Sequence, residues 1–287
     1  MPSTLTPELI TAELGGSEPW PEDCILFQPF EVEQILLPES ANCRSVQAFL
    51  KMCNLRFNVE MRANAEQMSP TGQVPFMKCG SFVVAEMEPI AQFVSSKGLN
   101  NLSQHLEVAD KGDMTAYMML VNTVLYNAEL FVCWCHEETL REVRFGLLIS
   151  AICYGFGNVT YPRYAYAYPW PLNYILCWKK RRAVLKKLSS VGWDTKNVDE
   201  VLGEVESCCQ ALSDRLENRN YFFGDSPTEL DALVFGHLSA ILTTPLPIDK
   251  LAIIVRENEK LVQLCNRIAK SYFNVIRQST NTSEHLN

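Results

Sequence analysis

The sequence predicts a two-part molecule, an N-terminal α/β domain followed by an all-helical domain. Three observations predict it. Up to about residue 100, short strand-like runs and single helical runs follow one another in the order β-α-β, then β-β-α. Beyond about residue 105 the strand signals stop and five long helical periodicities take over. A Val74-Pro75 step stands where the third strand opens, a position at which proline marks a turn or a strand edge.

Taken in order, residues 1–21 are rich in Pro, Ser, Thr, Gly and Glu and read as a flexible lead-in. Cys24–Gln28 reads as a strand. In Asn42–Asn54 the residues Val46, Phe49, Leu50 and Cys53 recur at i, i+3, i+4 and i+7, the spacing of one helix face. Arg56–Met61 alternates and reads as the second strand, with little room for a helix between Arg62 and Gln73. Pro75–Cys79 and Phe82–Val84 flank Gly80 as two strands on a tight turn, and Pro89 suits the first turn of a helix that Gly98 ends. This is the thioredoxin-like order, assigned to residues 22–100. In it the Val74-Pro75 bond reads as cis, leaving the backbone of Val74 free to pair with an extended ligand.

The helical domain is assigned to residues 105–275, with helices over Met114–Glu137, Pro171–Leu188, Val198–Leu216, Thr228–Thr243 and Lys250–Val275. Thr228 and Asp231 form a T-x-x-D capping box, with Asp in place of Glu or Gln, at the head of the apolar run Leu230, Leu233, Val234 and Leu238. This motif is structural and starts a buried helix. Residues 276–287 read as a polar tail.

Composition excludes several classes of function. The 287 residues are 47% apolar and 20% charged, a globular make-up. A chain this long buries nearly three quarters of the roughly 47,000 Å² that it exposes unfolded, so no staple is needed. With 25 Lys and Arg against 33 Asp and Glu the net charge is −8, and nucleic acid is excluded as a general partner. No Lys or Arg precedes Arg44, so neither a secretory signal nor an Arg-rich presequence is expected. No run reaches the ~18 apolar residues of a spanning helix; the nearest is residues 145–156. Eleven scattered cysteines without a C-x-x-C suggest neither a disulfide framework nor dithiol chemistry. Cys133, Cys135 and His136 lack a second ligand pair at finger spacing, so no metal site is expected.

One strong basic cluster stands out: Lys179, Lys180, Arg181 and Arg182, followed by Lys186 and Lys187. Two readings stay open. The cations sit on a solvated helix C-terminal half, where they suit the dipole, or they contact anionic lipid.

The two halves together, with the V-P-F step and the late T-x-x-D cap, resemble the glutathione transferase fold. More specific strings narrow the resemblance. Ala48-Phe49-Leu50 with Met52-Cys53-Asn54-Leu55, Arg62-Ala63-Asn64-Ala65-Glu66 with Met68-Ser69-Pro70, Tyr168-Pro169-Trp170-Pro171-Leu172-Asn173, and residues 227–238 are similar to the metaxin family, over about residues 18–272. The resemblance implies a non-enzymatic, peripheral protein on the cytosolic face of the mitochondrial outer membrane. It implies a subunit of the sorting and assembly machinery that supports protein import and inserts β-barrel proteins. The implied partners are a membrane-anchored metaxin paralogue and the β-barrel insertase, and no cofactor is implied. Residues 144–158 have no counterpart in the family pattern, and a poorly packed loop is expected there, from a lineage insertion or a gene-model artefact.

Glutathione transferases carry one hydroxyl or thiol near the start of the first helix, where it stabilises a thiolate. The corresponding candidates are Ser40, Cys43 and Ser45. After the fourth strand the transferase pattern has an acidic or amide residue followed by Ser; here the step is Glu86-Met87, and Met cannot donate the hydroxyl bond. Cys43, Val74, Pro75, Glu86 and Met87 are therefore expected to be vestigial glutathione-site positions. The alternative is a soluble glutathione transferase or thiol-transfer enzyme using Cys43.

Overall fold

A computed structural model describes residues 20–31, 34–99, 102–135, 160–166, 168–245 and 249–273. The expected loop at 144–158, nearly all of the N-terminal lead-in and the C-terminal tail lie outside the described residues.

Four short strands form one sheet: β1 (Ile25–Gln28), β2 (Asn58–Met61), β3 (Phe76–Cys79) and β4 (Phe82–Ala85), in the order β2-β1-β3-β4. β1 runs parallel to β2, with Ile25 opposite Asn58, and antiparallel to β3, with Phe27 opposite Phe76. Those two rings stack at 4.8 Å. The parallel β1–β2 pair requires a crossover, and α1 (Leu37–Met52) supplies it. This helix starts five residues before the expected Asn42. The apolar spacing from Val46 marks only the later turns, whereas Leu37, Pro38 and Ala41 are buried in the first ones. The space between β2 and β3 holds a single helical turn, α2 (Ala65–Met68). α3 (Met87–Ser96) follows β4, and Gly98 at φ +65° turns the chain out of it, a conformation glycine adopts without strain.

The helical domain comprises α4 (Val108–Trp134), α5 (Thr160–Ala165), α6 (Leu172–Ser190), α7 (Val198–Leu216), α8 (Glu229–Thr243), α9 (Lys250–Glu257) and α10 (Glu259–Ile268). α4 begins two turns before the expected Met114. Those turns are polar, and Arg215 lies 3.6 and 3.7 Å from Asp110 and Asp113. The apolar period therefore starts late although the helix does not. α4 is the one helix among the described residues long and apolar enough to cross a membrane, although it holds no unbroken apolar run of that length, and half of its apolar stretch is buried within the fold. α5 was not anticipated. In the described part of the helix expected over Lys250–Val275, α9 and α10 are separated by a break at Asn258 (φ −91°, ψ 75°), whose side-chain amide donates to Ile254 O at 2.9 Å, and α10 runs on into a π-helical turn at Ala269–Phe273.

α8 is the axis of the fold. Every residue from Glu229 to Ile241 is buried, as in a helix apolar on all sides. It lies so close to α1 that a Cβ on Gly236 would stand 1.9 Å from Ser45 Oγ and 2.5 Å from Ala41 O. Ser45 Oγ lies 3.2 Å from Leu233 O, and Arg44 Nη1 donates to Ser239 O at 2.9 Å. α1 belongs to the α/β half and α8 to the helical half, so the two share one core. At the base of α8, Asp231 accepts from Thr228 N (2.8 Å), Thr228 Oγ1 (2.7 Å) and Phe222 N (3.1 Å), and the capping box is closed. In its middle, His237 Nδ1 meets Glu129 Oε1 of α4 at 2.8 Å, both side chains fully buried. Burial pushes the Glu129 carboxyl above the ordinary glutamate value although His237 opposes this.

Candidate functional site

The transferase-type positions lie around the first turns of α1 and the β3–β4 edge, and the structure brings only some of them together. The Val74-Pro75 bond is cis, and Glu86 N donates to Pro75 O at 3.3 Å, so these two positions are adjacent. Glu86 precedes α3 at φ +72°, and Met87 is the first residue of that helix. Val74 borders a cavity of about 20 Å³ that it shares with Gln34, Glu39, Glu66 and Tyr164. Cys43 instead borders a separate pocket of about 280 Å³ with Glu31, Ser40, Arg44 and Arg163. A larger cleft of about 560 Å³ opens between residues 66–73 and helices α4 and α6, and none of the five vestigial positions lines it.

Cys43 is not at a helix start. It sits in the second turn of α1, 2% exposed, and burial pushes its thiol well above the ordinary range, with the Glu39 and Glu31 carboxylates adding to the effect. The N-terminal position that would favour a thiolate is taken by Glu39, the acidic residue of the first turn. Ser45 is fully buried and donates to Ala41 O at 2.9 Å, and Ser40 is 7% exposed. Burial thus holds the Cys43 thiol in its neutral form, and the Ser45 hydroxyl is committed to the backbone. We expect Cys43→Ser to leave the rate of labelling by an aromatic disulfide reagent unchanged in the native state, because the neutral buried thiol does not react. Loss of a fast labelling phase in the variant would contradict this.

The feature that sequence reasoning missed is an ionic clamp across the domain boundary. Lys180 Nζ lies 3.2 Å from Glu39 Oε1 of α1 and 2.6 Å from Glu66 Oε1 of α2, with 12% of the lysine side chain exposed. Tyr164 Oη donates to Glu66 Oε2 at 2.7 Å, and Tyr168 Oη to Ala63 O at 2.8 Å. Burial alone would lower the Lys180 pKa, but the two carboxylates overcome that and hold it above the ordinary lysine value. Of the two readings of the basic run, neither a solvated surface nor lipid contact describes Lys180, because its ammonium is turned inward and paired with two carboxylates. The remaining cations of the run divide. Lys179 and Arg182 are exposed, while Arg181 is half-buried and has bonding partners of its own. A signal for Lys180 was present in the sequence. Cys177, Lys180, Val184 and Leu188 are spaced i, i+3, i+7 and i+11, and the other three are buried.

Replacing Lys180 by Met leaves Glu39 and Glu66 facing one another without a cation. We expect a loss of about 3 kcal/mol in urea unfolding, because a partly desolvated charge loses its partner. A loss below about 1 kcal/mol, the range of exposed pairs, would show that water screens the clamp.

Among the described residues, no group of three or more His, Cys, Asp and Glu is placed to hold a metal ion. Cys133 is buried and Cys135 half-buried, while His136 lies outside the described residues. Nine of the ten described cysteines are buried.

Comparison with known proteins assigns the class first. Models of the glutathione S-transferase N-terminal and C-terminal domains match residues 41–139 and 205–268. Among solved structures, a β-etherase of Sphingobium superposes with a TM-score of 0.51 at 13% identity, covering 86% of this chain and 94% of that one. Glutathione transferase F7 of Populus trichocarpa gives 0.50 at 12%, covering 89% and 98%. The molecule is a glutathione-transferase-fold protein, an α/β thioredoxin-like domain joined to a helical domain. The family follows from the sequence relatives. Human Metaxin-2 is 47% identical over 270 residues, 94% of this chain and 96% of the relative, and the Caenorhabditis elegans Metaxin-2 homolog is 37% identical over 82% and 96%. Human Metaxin-1 is 27% identical over 71% of this chain and 42% of its own length. The chain belongs to the metaxin family. The stretch 140–204, which contributes α5, α6 and the lysine of the clamp, falls between the two transferase models.

Proposed function

We propose that this chain is a non-enzymatic subunit of the mitochondrial outer-membrane sorting and assembly machinery. In this reading it is peripheral, on the cytosolic face, and supports protein import and insertion of β-barrel proteins. The observation that carries the reading is the near full-length similarity to Metaxin-2, which spans 94% of this chain and 96% of that one. The mechanism is docking: a rigid body with one shared core presents its helical surfaces to a membrane-anchored metaxin paralogue and to the β-barrel insertase. The state of the transferase-type positions supports a scaffold over an enzyme. Cys43 is buried apart from Val74, Pro75 and Glu86, and the head of α1 is engaged by the Lys180–Glu39–Glu66 clamp.

Native co-isolation of the tagged chain from gently solubilised mitochondrial membranes tests the reading. An anchored metaxin and the barrel insertase are expected to come with it. A free chain without those partners, or glutathione conjugation that disappears in Cys43→Ala, would replace the scaffold by an enzyme.

A further inference from the structure

One face of α6 is unlike the rest of this acidic molecule. Between Thr160 and Trp193 there is no Asp or Glu, although the chain as a whole carries −8, and seven Lys and Arg fall there. The helix sorts these side chains. Cys177, Val184 and Leu188 face the core, and Lys180 goes inward with them. On the opposite side Leu172, Ile175, Lys179, Arg182 and Lys186 recur at i, i+3, i+7, i+10 and i+14, and all five are exposed. Trp178 flanks this stripe at 49% exposure, and Trp170 precedes it at 79%. Leu172 and Ile175 are 43% and 53% exposed. The Arg182 guanidinium lies over the Trp178 ring, 5.4 Å from its centroid.

Large apolar side chains this exposed and this close together mark a contact surface. The polar members of the stripe are all cations, which are donors only, so a partner must offer acceptors and negative charge along the whole face. Tryptophans at one end and cations without intervening acids along the rest suit the headgroup zone of a bilayer. There an indole rests at the interface, and Lys and Arg reach anionic groups.

We propose that the outer face of α6, from Trp170 to Lys186, docks on an anionic bilayer surface. Trp170, Ile175 and Trp178 sit at headgroup depth, while Lys179, Arg182 and Lys186 pair with anionic headgroups. This specifies how the peripheral subunit proposed above meets its membrane. Its test uses no partner protein, so failure of lipid docking and failure of co-isolation are separate results.

The experiment is flotation of the purified full chain with vesicles of phosphatidylcholine alone or of phosphatidylcholine doped with phosphatidylserine. The chain is expected to float with the anionic vesicles only, and less so as salt rises. The variant K179E/R182E/K186E is expected to lose roughly a hundredfold in partitioning. W170A/W178A, with circular dichroism unchanged, is expected to lose about tenfold. K111E/K260E/K270E, which reverses exposed charges elsewhere, should float as the parent does. No binding by the parent, parental binding by K179E/R182E/K186E, or unchanged binding by W170A/W178A would overturn the proposal. An equal loss in K111E/K260E/K270E would do so as well, because net charge alone would then account for the binding.

Discussion

Gly236→Ala is expected to be the most damaging alanine substitution among the described glycines. In most helix interiors the change stabilises by up to about 1 kcal/mol, since alanine has the better propensity. Here the added Cβ would stand 1.9 Å from Ser45 Oγ, 2.5 Å from Ala41 O and 2.5 Å from Ser45 N. Two of those atoms are backbone, so no rotamer change relieves the clash and α1 must move off α8. That contact joins the two halves of the core, so the loss spreads along the interface. We expect about 3 kcal/mol or more, read as a fall of about 10 °C in Tm. Ser45→Ala in the same chain removes the hydroxyl clash but not the Ala41 carbonyl, so it should recover less than half of the loss. A Gly236→Ala chain as stable as the parent would mean that the helices already stand further apart.

Asp231→Ala is expected to cost about 3 kcal/mol. It removes the acceptor for Thr228 N and Phe222 N, two buried donors that cannot find water, and it opens the cap of the most buried helix. Asp231→Asn keeps one carbonyl acceptor but turns an amide toward the donors, and an intermediate loss is expected. The pH dependence gives an independent reading. Burial pushes Asp231 up to about 6 from its ordinary 3.8, against the hydrogen bonds from Thr228 and Phe222. The native state therefore binds this proton more tightly than the unfolded chain. Its contribution to stability is fully present below about pH 4 and falls as pH rises to about 6. Denaturant titrations at several pH values should show that slope in the parent and not in Asp231→Asn. The same slope in both would assign it to another group.

The parts of the fold legible in the sequence are those set by short-range chemistry. The Asp231 cap, the four strands around Gly80 and the Val74-Pro75 step, and the full extent of α7 are signalled by residues within a few positions of one another. The helix starts at Leu37 and Val108 lie ahead of the apolar runs that signal these helices: the first turns of α4 are polar, and those of α1 hold a proline and only scattered apolar residues. The break at Asn258 was read through for the converse reason, since the apolar period resumes in α10 almost at once.

For the candidate site the sequence offers positions by pattern and gives nothing of their geometry. Cys43, Pro75 and Glu86 can be named from pattern, but whether they face one cavity depends on how α1 lies against the sheet, which no spacing encodes. Lys180 reads from its neighbours as one cation in a surface run, and it becomes the centre of an interdomain clamp only when Glu39 and Glu66 arrive from more than a hundred residues away. By itself, then, the sequence determined the order of the four strands and most of the long helices, the Thr228 cap and the family, because propensity, periodicity and motif act over a few residues. The tertiary structure alone decided which carboxylates meet Lys180 and which atoms of α1 a Cβ at position 236 would meet, because those depend on distances between atoms that the chain brings together only on folding.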